Sequence, residues 1–342
     1  MIKNMRVIDI EKAIGTVLCH DITQIIPGQF KGAKFKKGHV IKSEDIPILL
    51  SMGKKHLYVY EINENMLHEN DAALFLRDMC INEYMTESEI SEGKIELRSS
   101  IRGYLQVDRK RLKLINMQDE LMIATIKNGD VDVGTKIAGM RIIPLVIEKE
   151  KLERAREIVG SEPILSIHPY LIKNFGLVMT GSEVYNKLID DKFSHIVENK
   201  LLKYGVTLSK KIYCDDDKDM IIGAINELKN NYVDMIICAG GMSVDPDDMT
   251  PSSIIESGAE VVSYGSPLLP GAMMLIGYFE DDVPILGLPG CAMYAAATAF
   301  DVVLPKILAK IKLTKEELSD FGYGGLCHNC KICHFPNCSF GN

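Results

Sequence analysis

The chain has 342 residues, and 46% of them are apolar. This length and composition allow two or three domains with cores of their own and exclude a disordered protein. The formal net charge of −8 argues against a nucleic-acid-binding protein that relies on a basic face, and the basic run 109–113 is interpreted as a strand edge or turn. No segment approaches the ~20 apolar residues of a membrane-spanning helix, and the first residues lack the apolar core of a signal peptide. We therefore expect a cytoplasmic protein that binds neither membrane nor nucleic acid.

The first part of the chain is predicted to be rich in β-strands. Residues 1–70 alternate short apolar runs with glycines and are predicted to form a small β-rich module. Residues 71–160 are predicted to combine a helix with several strands, among them Gly103–Val107. A connecting helix is predicted at Glu148–Val159, and the Gly-Ser-Glu-Pro sequence at 160–163 marks a domain boundary.

Residues 161–315 change to an alternation of strands and helices, which predicts a parallel sheet covered by helices. Strands are predicted at Val206–Cys214 and Val233–Ala239, with a helix at Lys218–Asn230 between them. An antiparallel pair is predicted close to residue 280. A long apolar helix is then predicted from Ala292 to Lys312.

The sharpest change in the sequence follows the predicted strand Val233–Ala239. Two glycines, three aspartates and a Thr-Pro pair come next: Gly240, Gly241, Asp245, Asp247, Asp248, Thr250 and Pro251. Glycines let a ligand approach the backbone, while the threonine and proline suit the cap and the first turn of a helix. Since α/β proteins usually build their site at the carboxyl ends of buried strands, this loop is a candidate for binding a metal ion or a polar ligand.

Four loops at predicted strand ends are expected to converge on one edge of this sheet. They are 180–183, 214–217, 240–248 and 287–291. Backbone N–H groups at the starts of helices suit a phosphate, and carboxylates suit Mg²⁺ or a heterocycle. The carboxylates concerned are Glu183, Asp216, Asp245 and Asp248. Taken singly, each is more simply explained as a helix cap or part of a solvated turn, so a binding site is inferred from their coincidence.

Three ordered motifs in this region resemble the molybdopterin-binding domain family, which includes molybdopterin adenylyltransferases, molybdopterin molybdotransferases and the two enzymatic domains of gephyrin. The motifs are Met179-Thr180-Gly181-Ser182-Glu183, Ala239–Val244 with Asp248 and Thr250-Pro251, and Gly287-Leu288-Pro289-Gly290. The resemblance covers residues 165–310. It implies a three-layer α/β/α domain with a mostly parallel sheet, preceded by the β-rich N-terminal region.

The resemblance also implies which residues form the site. Asp248, Asp216 and Glu183 take catalytic positions, and Asp248 is matched to the chemistry of Mg²⁺ and nucleotide. Ser182 stands where the family has aspartate, and Cys291 stands where it has asparagine. The residues matched to binding of molybdopterin or adenylyl-molybdopterin are Thr180, Gly181, Ser182, Gly240, Gly241, Ser243, Asp245, Gly287, Leu288, Pro289 and Gly290.

One departure from the family leaves two functions open. Molybdotransferases carry Lys-Pro-Gly-Lys-Pro before the antiparallel pair, whereas residues 266–272 of this chain read Ser-Pro-Leu-Leu-Pro-Gly-Ala. The missing lysines are fixed cations that favour molybdate and phosphate. The first interpretation is a molybdotransferase-like enzyme that inserts molybdate into adenylyl-molybdopterin and releases AMP. The second is a non-catalytic carrier, sensor or delivery module with a molybdoenzyme partner. The family precedent implies a homo-oligomer in both cases.

Residues 322–342 form a cysteine-rich tail. Cys327, Cys330, Cys333 and Cys338 have the spacing Cys-x2-Cys-x2-Cys-x4-Cys, with two histidines among them. This spacing is close to that of bacterial ferredoxins, and four thiolates also suit a tetrahedral Zn²⁺ site. The tail is therefore predicted to bind an iron–sulfur cluster or Zn²⁺, and the alternative is a disordered thiol-rich tail. The five other cysteines are scattered and are interpreted as thiols in a reducing compartment.

Overall fold

The computed structural model describes residues 5–16, 18–26, 30–60, 65–243, 245–246 and 248–341. The chain divides into two compact units, the first comprising Met1–Ile101 with Leu105–Ile167 and the second Arg102–Tyr104 with His168–Asn342. The four-part division predicted from the sequence stays a prediction. Val244 and Asp247 of the predicted acidic loop lie outside the described residues.

The first unit consists mainly of short, antiparallel strands. A four-stranded sheet has the order β6-β7-β11-β9, and a three-stranded one has the order β10-β8-β13. The strands are β1 (Met5–Asp9), β2 (Ile22–Ile26), β3 (Phe30–Phe35), β4 (His56–Tyr60), β5 (Met66–His68), β6 (Met85–Glu87), β7 (Ile95–Ser99), β8 (Gly103–Val107), β9 (Leu121–Thr125), β10 (Gly129–Val131), β11 (Lys136–Ile142), β12 (Val146–Glu148) and β13 (Leu165–Pro169). The helices are α1 (Asp45–Ser51), α2 (Glu69–Asp78), α3 (Arg109–Asn116) and α4 (Lys149–Val159).

Two apolar clusters form the interior of the first unit. In β7 the buried residues alternate, so Ile95 and Leu97 face the larger cluster together with Leu76 of α2. The smaller cluster gathers residues of the first 57 positions, including Leu49 of α1. The basic run after residue 108 is a helix rather than the predicted strand edge or turn, because the Asp108 carboxylate accepts a hydrogen bond from the backbone N–H of Arg111 and caps α3.

The second unit is built on a six-stranded sheet of order β15-β14-β16-β19-β18-β17. The first four strands in this order are parallel, and β18 and β17 continue the sheet in antiparallel fashion. The strands are β14 (Asn174–Thr180), β15 (Thr207–Cys214), β16 (Ile236–Ala239), β17 (Glu260–Tyr264), β18 (Leu275–Tyr278) and β19 (Pro284–Leu288). The helices are α5 (Ser182–Tyr185), α6 (Phe193–Leu202), α7 (Lys218–Asn230), α8 (Thr250–Glu256), α9 (Ala299–Leu308) and α10 (Lys315–Asp320).

Helices cover both faces of this sheet. Successive residues of each strand point to opposite faces, so that Leu177 joins one apolar cluster and Val178 the other. The first cluster contains apolar residues of α6 and α9, and the second contains those of α7 and α8. The prediction of a three-layer α/β/α domain with a mostly parallel sheet is therefore confirmed.

The long helix predicted from Ala292 to Lys312 is wrong. The chain makes only a short 3-10 turn at Gly290–Met293, and α9 begins six residues later at Ala299. A capping box fixes this start, because the side chains of Thr298 and Asp301 each bind the other's backbone N–H group. Within the described ranges, no helix has both the length and the apolar content needed to cross a membrane.

Replacing Leu286 with alanine tests the packing of the central sheet. The side chain of Leu286 is fully buried in β19, so we expect Leu286→Ala to lower the free energy of unfolding by about 2–5 kcal/mol. Leu202→Ala is the matched control, because this leucine is 61% exposed at the end of α6 and its truncation should change stability by less than about 0.5 kcal/mol. Urea denaturation of both variants measures the difference. Equal effects would show that the assigned core is wrong.

Candidate functional site

The carboxyl ends of the four parallel strands lie side by side. Thr180 is the register partner of Cys214, and Ala239 is the partner of both Met179 and Leu288. The chain leaves β14 for β15 on one side and returns to β16 on the other, so the β14/β16 boundary is the topological switch point. Ligands of open α/β sheets bind in the crevice at such a point. The four predicted loops therefore begin along one edge of the sheet.

Two glycines form a tight cradle at this switch point. A Cβ atom on Gly240 would lie 2.1 Å from the carbonyl oxygen of Thr180, and the φ of Gly240 is +103°. At Gly241, with φ of +53°, a Cβ would lie 2.9 Å from Thr250 Oγ1 and 3.6 Å from Asp248 Oδ1. Thr180, Gly240, Gly241, Asp248 and Thr250 are here called the glycine cradle. Only glycine fits at residue 240, because the backbone itself approaches a neighbouring strand.

The two threonines of the cradle share a buried hydrogen bond. Their hydroxyl oxygens are 3.0 Å apart, and both side chains are buried. The sequence suggested Thr250 as a helix cap, which is wrong: α8 starts at Thr250, and the N-cap residue is Met249, whose side chain makes no cap hydrogen bond. Because the Thr250 hydroxyl bonds to Thr180, it fastens the start of α8 to the end of β14.

Two hydrogen bonds join Asp245 and Asp248 within the acidic loop. The Asp248 N–H donates to the carbonyl of Asp245 at 3.0 Å, and the Asp245 N–H donates to Asp248 Oδ2 at 3.3 Å. The hydroxyl of Tyr264 lies 3.0 Å from the carbonyl of Met242 and 3.2 Å from that of Ser243. Burial and the negative charge of Asp248 raise the pKa of Tyr264. This tyrosine was not predicted; a polar aromatic residue ending the strand after the acidic loop is the signal that could have identified it.

Ser182 lies against the second acidic loop. Its N–H donates to Asp216 Oδ2 at 3.0 Å, and its hydroxyl donates to Asp215 Oδ1 at 2.6 Å. Asp217 instead caps α7 by accepting from the N–H of Met220 at 2.8 Å. The structure thus separates the three aspartates into two that contact Ser182 and one that caps a helix. The sequence suggested backbone N–H groups at the starts of helices for a phosphate, and two such groups, those of Ser182 and Met220, are bonded to carboxylates.

Some predicted site residues face away from the edge. Gly287 is packed in the interior, where an added Cβ would lie 2.5 Å from the Met242 side chain, and the Leu288 side chain is fully buried. Of this loop, Gly290 is exposed and Pro289 half-buried. Glu183 is also exposed, and its backbone carbonyl accepts a hydrogen bond from Leu188 at 2.8 Å. Gly287 and Leu288 therefore support the loop from the interior of the domain.

The oxygen atoms at this edge suit a hard cation such as Mg²⁺, which prefers carboxylate, carbonyl and hydroxyl ligands. In the part of the chain that the structure describes, no group of three or more His, Cys, Asp or Glu side chains is arranged to hold a metal ion. The Mg²⁺ assigned to Asp248 stays a prediction.

A family match decides the identity of this part of the chain. The sequence profile of a family described as a probable molybdopterin binding domain matches residues 176–310. Residues 176–310 belong to this family of probable molybdopterin-binding domains. The match contains the glycine cradle and both acidic loops, which confirms the predicted family. A second profile, of a domain of unknown function, matches residues 7–61 in the first unit.

Curated relatives match only a short part of the chain. A CinA-like protein of Mycolicibacterium gilvum is 36% identical over 75 residues, which are 22% of this chain and 18% of that protein. A CinA-like protein of Mycobacterium avium is 33% identical over 75 residues, covering 22% and 17%. The chain thus spans less than a fifth of the curated relatives it matches.

Solved structures resemble the domain at low sequence identity. The tungsten cofactor synthesizing protein MoaB of Pyrococcus furiosus is 17% identical, with 40% of this chain and 93% of that chain covered and a TM-score of 0.34. The molybdopterin biosynthesis Mog protein of Mycobacterium ulcerans is 18% identical, with 41% and 99% covered and a TM-score of 0.35. The assignment of the molybdopterin-binding domain rests on the family match and not on these scores.

The segment after Ser182 is held on β15 by a buried carboxylate. Asp191 accepts hydrogen bonds from Ser194 N at 2.9 Å, from the Tyr213 hydroxyl at 2.9 Å and from Lys211 Nζ at 3.2 Å. Burial alone would raise the pKa of Asp191, but hydrogen bonds from Ser194, Tyr213 and Lys211 outweigh it and lower the pKa to about 2. Asp191 therefore anchors the chain between α5 and α6.

Sequence reasoning also missed a polar cavity in the first unit. It has a volume of about 300 Å³, and its lining includes His20, Lys37, His68, Glu69 and Arg141. Burial lowers the pKa of His68 to about 4, so this histidine is neutral near neutral pH. Burial likewise lowers the pKa of His20 and raises that of Glu69. The cavity is thus an environment that disfavours charge.

Asp191→Asn should destabilise the protein in a pH-dependent way. A carboxylate whose pKa is lower in the folded state stabilises the fold above its unfolded pKa, near 4, and this contribution is lost as the pH falls through the folded value of about 2. We expect the variant to unfold at lower urea than the wild type at pH 7 and the gap to shrink below about pH 4. Asp190→Asn, at the exposed neighbouring residue, is the control. A gap that does not change with pH would contradict this role of Asp191.

Gly240→Ala should damage the cradle, whereas Gly290→Ala should not. The first substitution places a methyl group against Thr180 at a positive φ, and we expect a loss of at least about 2 kcal/mol in unfolding free energy. At Gly290 an added Cβ meets no atom within 4 Å. Thermal and urea unfolding of the two variants, compared with wild type, measures the difference. Wild-type stability of Gly240→Ala would show that the approach of β14 to this loop is looser than described.

Proposed function

We propose that the second unit binds a molybdopterin-type ligand at the glycine cradle, as part of molybdenum cofactor biosynthesis. The observation that carries this proposal is the position of the cradle. Gly240 and Gly241 bring bare backbone to the switch point between β14 and β16, with Asp248 and the acidic loop beside it. The family match to residues 176–310 supplies the class of ligand.

The charges at the site argue for a cation bound with the ligand. Asp215, Asp216, Asp245 and Asp248 lie in two loops at this edge, and none of the four predicted loops contains a lysine or arginine. The phosphate of molybdopterin carries negative charge and would be repelled by these carboxylates. Mg²⁺ would supply the bridging positive charge, with Asp248 as our principal candidate ligand. Ser182 contributes a neutral hydroxyl where an additional aspartate would increase the repulsion.

A binding and delivery function is favoured over molybdate insertion. Residues 266–272 lack the two lysines found in molybdotransferases, and the backbone of Leu269 in this segment is paired with residues 325–327. Fixed cations for molybdate are therefore missing from a segment that is used for another contact. A carrier would transfer its ligand to a molybdoenzyme partner. The predicted homo-oligomer stays a prediction.

The molybdotransferase-like reaction is the second candidate, because both acidic loops are present. In that reaction molybdate enters adenylyl-molybdopterin and AMP is released. Addition of molybdate to protein loaded with adenylyl-molybdopterin separates the two functions. Release of AMP in proportion to the molybdate consumed would establish the enzyme, whereas tight binding without release would establish the carrier.

Asp248→Asn should weaken binding of the pterin. Loss of one charged contact is expected to reduce affinity by about 10- to 100-fold, and removal of Mg²⁺ with EDTA should have a similar effect on the wild type. The measurement is the amount of pterin that co-purifies with the protein, detected by fluorescence after oxidation. Added Mg²⁺ should restore binding to the wild type but not to the variant.

Asp281→Asn is the control for this experiment. Asp281 is exposed in the turn between β18 and β19, at the opposite edge of the sheet, so its loss should leave pterin binding unchanged. Absence of pterin from the wild type, or equal binding by Asp248→Asn and wild type, would reject the proposed site.

A further inference from the structure

The cysteine-rich tail is fastened to the molybdopterin-binding domain at its start. Leu326 forms an isolated parallel bridge with Leu269. The N–H of Leu269 donates to the carbonyl of Gly325 at 2.7 Å, and the N–H of Cys327 donates to the carbonyl of Leu269 at 2.8 Å. At Gly325 an added Cβ would lie 2.1 Å from the carbonyl oxygen of Pro267. The first cysteine of the motif is therefore held by a close backbone contact.

The far end of the tail is fastened as well. Phe340 is 2% exposed in the apolar cluster that contains α6 and α9, and Phe335 and Cys338 pack against the same cluster. The N–H of Gly341 donates to the carbonyl of Gly324 at 3.0 Å, which brings the two ends together. The tail thus forms a loop closed at its base, unlike the disordered thiol-rich segment that was the alternative interpretation.

Between these two ends the loop has little to stabilise it. Over the described residues after α10, no helix or strand longer than a single bridge is present. Cys330 and Cys333 are exposed, and Ile332 is 74% exposed. None of the nine cysteines, all of which are described, is in a disulfide. Small segments without a core usually need a disulfide or a metal to hold one conformation.

The first pair of cysteines has the backbone of a thiolate-binding turn. Asn329, between Cys327 and Cys330, has a φ of +51°, and its N–H points to Cys327 Sγ at 3.5 Å. This turn therefore directs a backbone N–H group at the sulfur of Cys327 and turns the chain between the first two cysteines of the motif.

All four tail cysteines line one cavity of about 530 Å³. The histidines of the motif, His328 and His334, line it too, and the opposite wall is residues 294–297, which follow the predicted Gly-Leu-Pro-Gly loop. The described cysteines and histidines are not grouped in threes closely enough to form a coordination shell. The fold thus provides a closed loop in which four thiols line a common cavity.

We propose that Cys327, Cys330, Cys333 and Cys338 bind one metal centre through four thiolates. An iron–sulfur cluster is the form we expect, because three cysteines with two residues between neighbours match ferredoxin-type spacing better than the widely separated arms of zinc sites. Binding draws the exposed Cys330 and Cys333 towards the two anchored cysteines. Since metal binding supplies folding free energy, the centre fixes the loop against residues 294–297. This site does not depend on the function proposed for the glycine cradle.

Metal analysis of the full-length protein, purified without oxygen, tests the proposal. We expect iron with acid-labile sulfide and visible absorption; zinc in a colourless sample would keep the four-thiolate site but replace the cluster. Each of the four Cys→Ser variants should lose bound metal at least tenfold, since even outer-shell substitutions cause ~10–100-fold losses in metal affinity. Cys291→Ser, outside the tail cavity, should keep the wild-type metal content. Wild-type protein without iron or zinc, or tail variants that keep it, would overturn the proposal.

A second measurement, made on the wild-type protein, tests the site without relying on variants that could fail to fold. Alkylation of the wild-type protein, read by mass spectrometry, should spare the four tail cysteines until a chelator is added, while circular dichroism reports that the α/β domain stays folded. Alkylation of all four before chelation would overturn the proposal. So would protection that only a reductant removes, because it would mean that the tail cysteines form disulfides.

Discussion

The close approach of Thr180 and Gly240 is the constraint on which the candidate site depends. It joins the carboxyl ends of two neighbouring parallel strands and forces the chain after β16 into conformations with positive φ at residues 240 and 241. The same contact brings the Thr180 hydroxyl into hydrogen-bond distance of the Thr250 hydroxyl. This hydrogen bond holds the first residue of α8 in place. The acidic loop lies between these fixed points, so the position of Asp248 follows from this backbone packing together with the hydrogen bond that its carboxylate accepts from the Asp245 N–H.

Much of the second unit could be predicted because its elements have strong local signals. The bounds of α7 agree with expectation, since it is a periodic apolar segment with clear turn residues on both sides. The helix predicted from Ala292 was wrong because the local sequence signal for its start is weak. Residues 292–297 are small and apolar enough for a helix, and only the capping box of Thr298 and Asp301 shows where α9 begins.

The side-chain arrangement at the site was harder to predict, because it depends on contacts between residues far apart in sequence. Gly287 resembles a ligand-loop glycine, yet it makes room for the Met242 side chain. Ser182 and Asp216 are 34 positions apart and meet only when β14 and β15 pair. Tyr264 approaches the acidic loop from the antiparallel side of the sheet. Patterns along the chain identify loops and elements, but such pairings require the strand order.

Because the two ends of the tail loop are already joined, bringing its four thiol ligands together costs less conformational entropy. Bringing together four ligands from a free chain end includes the loss of freedom of closing a loop, which grows with the logarithm of its length. Here the pairing of Leu269 with Gly325 and of Gly341 with Gly324 has already removed most of that freedom. The fold of the α/β domain therefore acts as the template for the tail, and its unfolding would loosen the thiol ligands even though their sequence spacing is unchanged.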